Sequence, residues 1–316
     1  MALSVSEANT VTDRFYKTPM VQQVYEDSAL WVKMKSQNKL KRAGGERLQF
    51  PIRYKEFGKS DAVDPRAEVS FEQLETRTAG VLPWTYYNTA QMISWDERVK
   101  NTGKEKIVNL MKDKSDEMVQ DQNERFATDL FTTNPNGKGF VALPVIIDGT
   151  ADYAGIADAD ADSNWAAAVD DTSTTTLLLY GSGSISESVN ASTFGKYSPD
   201  FHLTTRDLAS KAESLLEPQK RYQDKVLADA GFKNVTFHGA PIVGDDHCPA
   251  ALWLGMCMKA FEIWCHTDYD MELTPWKELF QAGFPNAMGR TLSWAGNIVC
   301  TMRKCNMKYT ALDYTL

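Results

Sequence analysis

From Glu46 onward the chain alternates between apolar and polar positions. Leu48, Phe50, Ile52 and Tyr54 fall on one side of the pattern, and Arg47, Gln49, Pro51 and Arg53 on the other. A period of two predicts a strand with one buried face. Pro51 has no N–H to give to a ladder, so the strand is an edge or irregular one. After Gly58 and the turn-like "DAVDP", a return run over residues 69–94 alternates again, with Leu82, Trp84 and Tyr86 against Pro83 and Thr85. Together the runs predict a long hairpin over 46–93. Its tip is polar, and a two-stranded hairpin alone in water is marginal. Something outside the hairpin is therefore expected to hold it.

From Ser94 the period becomes helical. Ile107, Leu110, Met111, Met118, Phe126 and Leu130 recur at helical spacing, a stripe along one face. Ser94 and Glu97 have the S-x-x-E spacing of a capping box. Asp96 and Glu97 sit where the helix dipole favours negative charge, and "NPNG" at 134–137 stops the run. The prediction is one helix over 96–131, on the order of 50 Å long at about 1.5 Å per residue. Its other faces carry mixed charge, including like pairs such as Glu117 and Asp121. Local pairing does not hold such a rod, which reads as a strut laid across a domain.

The remaining segments are less regular. Residues 1–45 read as an arm: Met1 to Lys17 is polar, and Pro19 suits the start of a short helix carrying Val21, Val24, Tyr25 and Leu30. "KSQNKLKRAGG" breaks that helix. "GFVALPVIIDGT" predicts a short apolar strand into a turn. Residues 151–199, rich in Ala, Asp, Ser, Thr and Gly, read as a surface excursion with "GSGSISES" as its plainest loop. "LTTRDLASKAESLLEPQ" predicts a helix capped by Thr204 and Asp207, with Leu208, Ala212 and Leu215 on its buried face. "KNVTFHGAPIVGDDHCP" reads as strand, turn, strand and loop, and the closing "SWAGNIVCTMRKCNMKYTALDY" as strands. There is no internal repeat.

Composition narrows the functions. The chain has 316 residues, 43% of them apolar, with eight Trp, enough for a substantial core. A net charge of −8 argues against a surface built to grip nucleic acid, which needs clustered Lys and Arg, and against an anionic membrane surface. No apolar stretch approaches the ~20 residues that span a bilayer, and the polar start is not a signal peptide. Five cysteines, 248, 257, 265, 300 and 305, fit buried, reduced thiols of a cytoplasmic protein.

Candidate chemistry is thin. "DADADSN" spaces Asp158, Asp160, Asp162 and Asn164 like a calcium loop, but the sixth and twelfth positions are Ser163 and Val169 where Gly and Glu are needed. A solvated acidic loop is the better reading. "DDHC", with His238 upstream, offers a hydrolase built from His238, Asp246, His247 and Cys248. Sequence neighbours rarely meet in the geometry of a nucleophile and its base, and Pro249 suits a turn. The cysteines lack C-x-x-C spacing, and no phosphate loop, dinucleotide fingerprint, nucleophile elbow or H-E-x-x-H motif is present. No catalytic residue, metal or cofactor is expected.

The loudest features are an arm, a long hairpin and a strut, in that order. In this order, and in the words "GGERLQFPIRY", "WDERVK", "VTFHGAPIVGDDHCPA" and "GNIVCTMRKCNMKYTAL", the sequence resembles the major capsid proteins of tailed bacteriophages, the Hong Kong 97-type fold shared with encapsulins. The resemblance implies an α+β fold with an N-terminal arm (1–45), an extended hairpin loop (46–93), a peripheral domain (94–143 and 291–316) carrying a spine helix (96–131), and an axial domain with a central sheet (144–290). It implies a non-enzymatic shell protein that forms pentamers and hexamers around a DNA genome, assembled in the host cytoplasm and located in the virion. An encapsulin-like compartment is the alternative. Scaffolding, portal and decoration proteins are the implied partners, with no sequence-specific nucleic-acid binding and no membrane. Because the chain starts at the arm, scaffolding is expected from a separate protein or a removed segment. Inter-subunit contacts are expected at Lys55, Lys59, Asp61, Arg66 and Glu68 around the hairpin tip. Some family members cross-link a hairpin Lys to an Asn of a neighbouring subunit with a Glu assisting. Lys55 and Lys59 lie in that element, but no matching Asn or Glu is identified, so the activity is not carried over.

Overall fold

The computed structural model describes residues 29–56, 58, 60, 62–66, 71, 73–100, 104–157, 164–171, 175–216, 235–280 and 286–313. In chain order it contains α1 (Ala29–Ser36), β1 (Leu40–Ala43), β2 (Leu48–Arg53), β3 (Arg77–Leu82), β4 (Thr85–Ile93), α2 (Trp95–Lys100), α3 (Lys104–Phe131) and α4 (Leu143–Ile146). There follow β5 (Ala168–Asp170), β6 (Thr175–Thr176), α5 (Ile185–Ser192), β7 (Phe201–Thr204) and α6 (Arg206–Leu215). The last part holds β8 (Val235–Phe237), β9 (Ala240–Gly244), β10 (Trp253–Met256), β11 (Phe261–His266), β12 (Glu272–Leu273), β13 (Lys277–Glu278), β14 (Met288–Cys300), β15 (Met307–Tyr309) and β16 (Leu312–Asp313).

β14 organises the first sheet. One edge pairs antiparallel with β4 over nine residues, from Met288↔Ile93 to Gly296↔Thr85. The other edge takes β13, β12 and β11 in turn, and β1 adds to β11 in parallel. Gly296 permits the crowding at this crossing, since a Cβ there would lie 2.6 Å from the Trp264 carbonyl and from the Trp294 ring. α3 lies on this sheet. The side chains of Phe126, Tyr87, Phe140 and Trp294 form one aromatic cluster with centroids 4.8–6.3 Å apart, and Trp31 of α1 packs on Phe126 at 6.0 Å. Edge-to-face geometries within it add to the area buried.

The second sheet has the order β5-β15-β10-β7-β9-β8. His238 (φ 49°) and Gly239 (φ 79°) make the two-residue connection from β8 to β9, a left-handed pair that matches hairpin twist. α6 packs on this sheet through Leu208 and Ala212, both fully buried. The larger apolar core includes residues of both sheets, α1, the hairpin and α3.

Several elements differ from the sequence reading. β4 leaves the hairpin and joins β14, so among the described residues the ladder of the hairpin runs over 48–53 and 77–82, with the Tyr54 N–H still reaching the Thr76 carbonyl. The break at Pro83–Trp84 also shifts the phase, so Thr85 and Tyr87 point inward and Tyr86 is 67% exposed. "KSQNKLKRAGG" contains β1, and the end of the arm is docked, with Leu30, Trp31 and Met34 buried. "GFVALPVIIDGT" forms a helical turn, with Pro144 in its first turn, where its missing N–H costs no intrahelical bond. "GSGSISES" starts α5: Ser184 Oγ accepts from the Glu187 N–H, an S-x-x-E signal present in the sequence. The 151–199 region buries Tyr153, Trp165, Ile185 and Val189. α6 is capped by Thr205, whose side chain accepts from the Leu208 N–H; Thr204 is a buried β7 residue, and Leu216 is buried where Leu215 was expected. Residues 261–278 belong to the first sheet and 307–309 to the second, so sheet membership does not divide at 290.

Candidate assembly surface

β2 and β3 pair from Leu48↔Leu82 to Arg53↔Arg77. Leu48, Phe50 and Ile52 are buried, as their alternation predicts. Gly80 sits under Phe50, where a Cβ would come within 2.8 Å of the ring. Trp84 Nε1 donates to the Gly45 carbonyl at 2.7 Å, and the Val81 N–H to the Ala154 carbonyl at 3.0 Å. These contacts fix the base of the hairpin to the body. Beyond Arg53 the described residues are mostly exposed, with Phe71 at 96% and Val63 at 59%. Arg66 is exposed and Lys55 half-buried, its ammonium 5.6 Å from the centroid of the Tyr54 ring. Lys59, Asp61 and Glu68 lie outside the described residues.

The helix carries the capping box its spacing predicts. Glu97 Oε2 accepts from the Ser94 N–H at 3.0 Å, and Ser94 Oγ from the Glu97 N–H at 3.3 Å. The predicted single helix is seen as α2 and α3, with residues 101–103 outside the described residues. Met111, Met118, Phe126 and Leu130 are buried as expected, and Leu110 is half-buried. The Ile107 side chain lies outside the described set. What the stripe did not reveal is a polar seam of Ser115, Gln122 and Asp129, all buried and seven residues apart. Ser115 Oγ accepts from Arg290, Gln122 Oε1 from Thr89 at 2.6 Å, and Asp129 Oδ2 from the Tyr87 hydroxyl at 2.7 Å. Burial, then the hydrogen bond to Asp129, raises the Tyr87 phenol well above its ordinary value. The heptad recurrence of small or polar residues beside the apolar stripe was the available signal.

A second feature lies under the hairpin base. Arg303 is fully buried and donates to the carbonyls of Ile146 (2.7 Å), Ala151 (3.0 Å) and Asp148 (3.0 Å), its guanidinium carbon 5.7 Å from the ring centroids of the stacked Tyr153 and Trp165. Lys308 pairs with Asp148 beside it. Burial alone raises the Asp148 carboxyl, but Lys308 and the N–H groups of Thr150 and Ala151 outweigh it and hold it at about 2. Between this knot and residues 53–56, Gly58 and Ser60 is a cleft of about 540 Å³.

The four candidate hydrolase residues have separate partners. His238 bonds Ser186 at 3.0 Å, and Asp246 pairs with Arg206 at 2.5 Å. His247 bonds Glu124 of α3 at 2.9 Å, with Asp245 at 3.4 Å from its other nitrogen. Burial lowers its pKa, but the two carboxylates prevail and raise it. Cys248 is buried, and burial with the nearby Asp245 pushes its thiol up to about 12, the wrong direction for a nucleophile. All five cysteines are buried, and none is in a disulfide. In the acidic loop, Asp158, Asp160 and Asp162 are outside the described residues, and Asn164 accepts from Lys304 at 2.9 Å. Among the described residues no helix is long and apolar enough to cross a membrane.

No protein-family model and no curated protein matches the sequence. Solved structures do match. The chain is similar to a protein of the cyanophage A-1(L) capsid asymmetric unit, with a TM-score of 0.63 at 15% identity, over 87% of this chain and 90% of that one. It is similar to a protein from Mycobacterium phage Bobi, with a TM-score of 0.57 at 12% identity, over 99% of both chains. It is also similar to the SrpI encapsulin of Synechococcus elongatus, with a TM-score of 0.57 at 9% identity, over 100% of this chain and 98% of that one. The fold is thus the α+β fold of phage capsid proteins and an encapsulin, and the Hong Kong 97-type resemblance read from the sequence holds at that level.

Proposed function

We propose that this chain is the major capsid protein of a tailed bacteriophage, assembling into pentamers and hexamers of a shell around DNA. The observation that carries the reading is the likeness over nearly the whole chain to shell-forming proteins. Ring-closing contacts between identical subunits need two different surfaces on each copy. The hairpin beyond Arg53, with exposed Phe71, Val63 and Leu74, is one such surface, and Lys55, Lys59, Asp61, Arg66 and Glu68 are its candidate contacts. The first sheet with α3 is the peripheral domain, and the second sheet the axial domain. An acidic chain does not grip the genome it encloses. Scaffolding, portal and decoration proteins complete the partners, and assembly takes place in the host cytoplasm. Nothing in this role calls for catalysis.

The encapsulin likeness keeps a protein compartment as the second reading. Negative-stain microscopy of the protein, expressed alone and with its neighbouring genes, tests both. Closed shells in either preparation support the assembly reading, and DNA-filled, tailed particles distinguish a phage from a compartment. Sedimentation of nothing but a 35.4 kDa species under both conditions overturns it.

A further inference from the structure

The cleft under the hairpin base is unusual for so acidic a chain. Arg53, Lys55 and Lys304 line it against a single carboxylate, Glu56, together with Tyr54, Phe194 and the buried Trp165. Arg53 lies directly across the hairpin from Arg77, and like charges in directly opposed strand positions are destabilising. Both arginines are exposed. Among the described residues, Lys304 Nζ bonds the neutral amide oxygen of Asn164 and sits 5.2 Å from the centroid of the Phe194 ring. Among the described residues no carboxylate lies within ion-pair distance of Arg53, Arg77 or Lys304. The chain has 42 acidic residues against 34 basic ones, so three unmatched cations at one place are a concentration against the overall trend.

The floor of the cleft is firm. Arg303 is locked by its three carbonyl bonds, so the wall that presents Lys304 is set by buried structure.

We infer that this cleft is a docking site for an acidic segment of another polypeptide, one that pairs carboxylates with Arg53, Arg77 and Lys304 and seats an apolar or aromatic side chain on the exposed ring of Phe194. Planar guanidinium groups match carboxylates two bonds at a time, and aromatic walls reward a peptide side chain between the charges. A nucleic acid is the poorer fit. A long polyanion meets the repulsion of a chain of net charge −8, whereas a few carboxylates stay within the basic patch. The inference needs only the cleft and does not depend on shell formation.

The test uses the full chain in unassembled form and a fluorescein-labelled peptide, Glu-Asp-Phe-Glu-Asp-Leu, read by anisotropy. Its controls are Gln-Asn-Phe-Gln-Asn-Leu and a labelled twelve-nucleotide single-stranded DNA. The acidic peptide is expected to bind at least tenfold more tightly than the amide version and than the DNA, and to weaken as salt is raised. Arg53→Gln, at an exposed strand end, should weaken it several-fold, and Arg53→Gln with Lys304→Gln more than tenfold. Lys100→Gln, in an exposed pair with Asp96 elsewhere, should leave it unchanged. Unaltered circular dichroism of each variant shows that the fold is intact. Equal binding of acidic and amide peptides, tighter binding of DNA, or a folded Arg53→Gln variant with undiminished binding overturns the proposal.

Discussion

At the scale of single residues, the molecule stores cost in a few buried polar groups. His202 is fully buried on β7. Trp253 Nε1 donates to its Nδ1 at 3.2 Å, which leaves the ring proton on Nε2, a buried nitrogen with no partner. Burial, and next the charge of His238, lower its pKa to about 3. The unfolded chain takes up that proton near pH 6.5, so more protons are bound when unfolded and stability falls as the pH drops from 6.5 toward 3. The slope from this residue is at most about 1.4 kcal/mol per pH unit. Urea melts of the subunit at pH 4.5–7 should show wild type losing stability on acidification faster than His202→Phe. Parallel profiles would contradict the assignment. Arg303→Met should cost about 3 kcal/mol or more, because it leaves three carbonyls in a buried site without their donor; the same melts measure it.

At the scale of elements, the hairpin and the long helix obey opposite rules. α3 is held by a seam. Gln122 meets Thr89 and Asp129 meets Tyr87, both on β4, and Ser115 meets Arg290 on β14. Asp129→Ala should therefore destabilise by about 2 kcal/mol, since the buried Tyr87 hydroxyl loses its acceptor; thermal melting of the variant checks it. Among the described residues of the hairpin beyond Arg53, no buried polar seam of this kind is seen. Ordering each residue costs about 1–2 kcal/mol of backbone entropy, and Gly58 and Ala62–Arg66 are exposed. Trypsin should cut rapidly after Lys55, Lys59 and Arg66 in unassembled protein and slowly in particles. Equal rates by mass spectrometry would remove the hairpin from the proposed lattice.

At the scale of the whole molecule, the two sheets share one core, and His247 ties their outer surfaces by bonding Glu124 of α3. The five buried thiols belong to this packing. Cys248→Ser should leave assembly intact with a modest packing loss, and metal analysis should find no stoichiometric zinc. One zinc per chain, lost in that variant, would revive the hydrolase reading. Cys248 is a less promising nucleophile than its neighbours in sequence suggest, because the fold that buries it also raises its thiol to about 12.

Local chemistry carried much of this architecture. The alternation of Leu48, Phe50 and Ile52, the Ser94–Glu97 capping box, the apolar stripe of α3 and the His238–Gly239 turn are short-range patterns whose geometry each segment sets for itself. Taken in order, they were enough to suggest the fold. Long-range pairing decided the rest. Nothing near Thr85 says that β4 leaves the hairpin for β14, some two hundred residues later. Nothing near Leu40 announces a parallel partner at Ile263. The Ser115–Gln122–Asp129 seam was visible as a spacing, but its buried state depended on Tyr87, Thr89 and Arg290 arriving opposite it. The basic cleft is the extreme case. Arg53, Arg77 and Lys304 are ordinary surface cations in the sequence, and only strand register and the buried anchor of Arg303 gather them in one place, because side-chain charge is local while its neighbourhood is set by the whole chain.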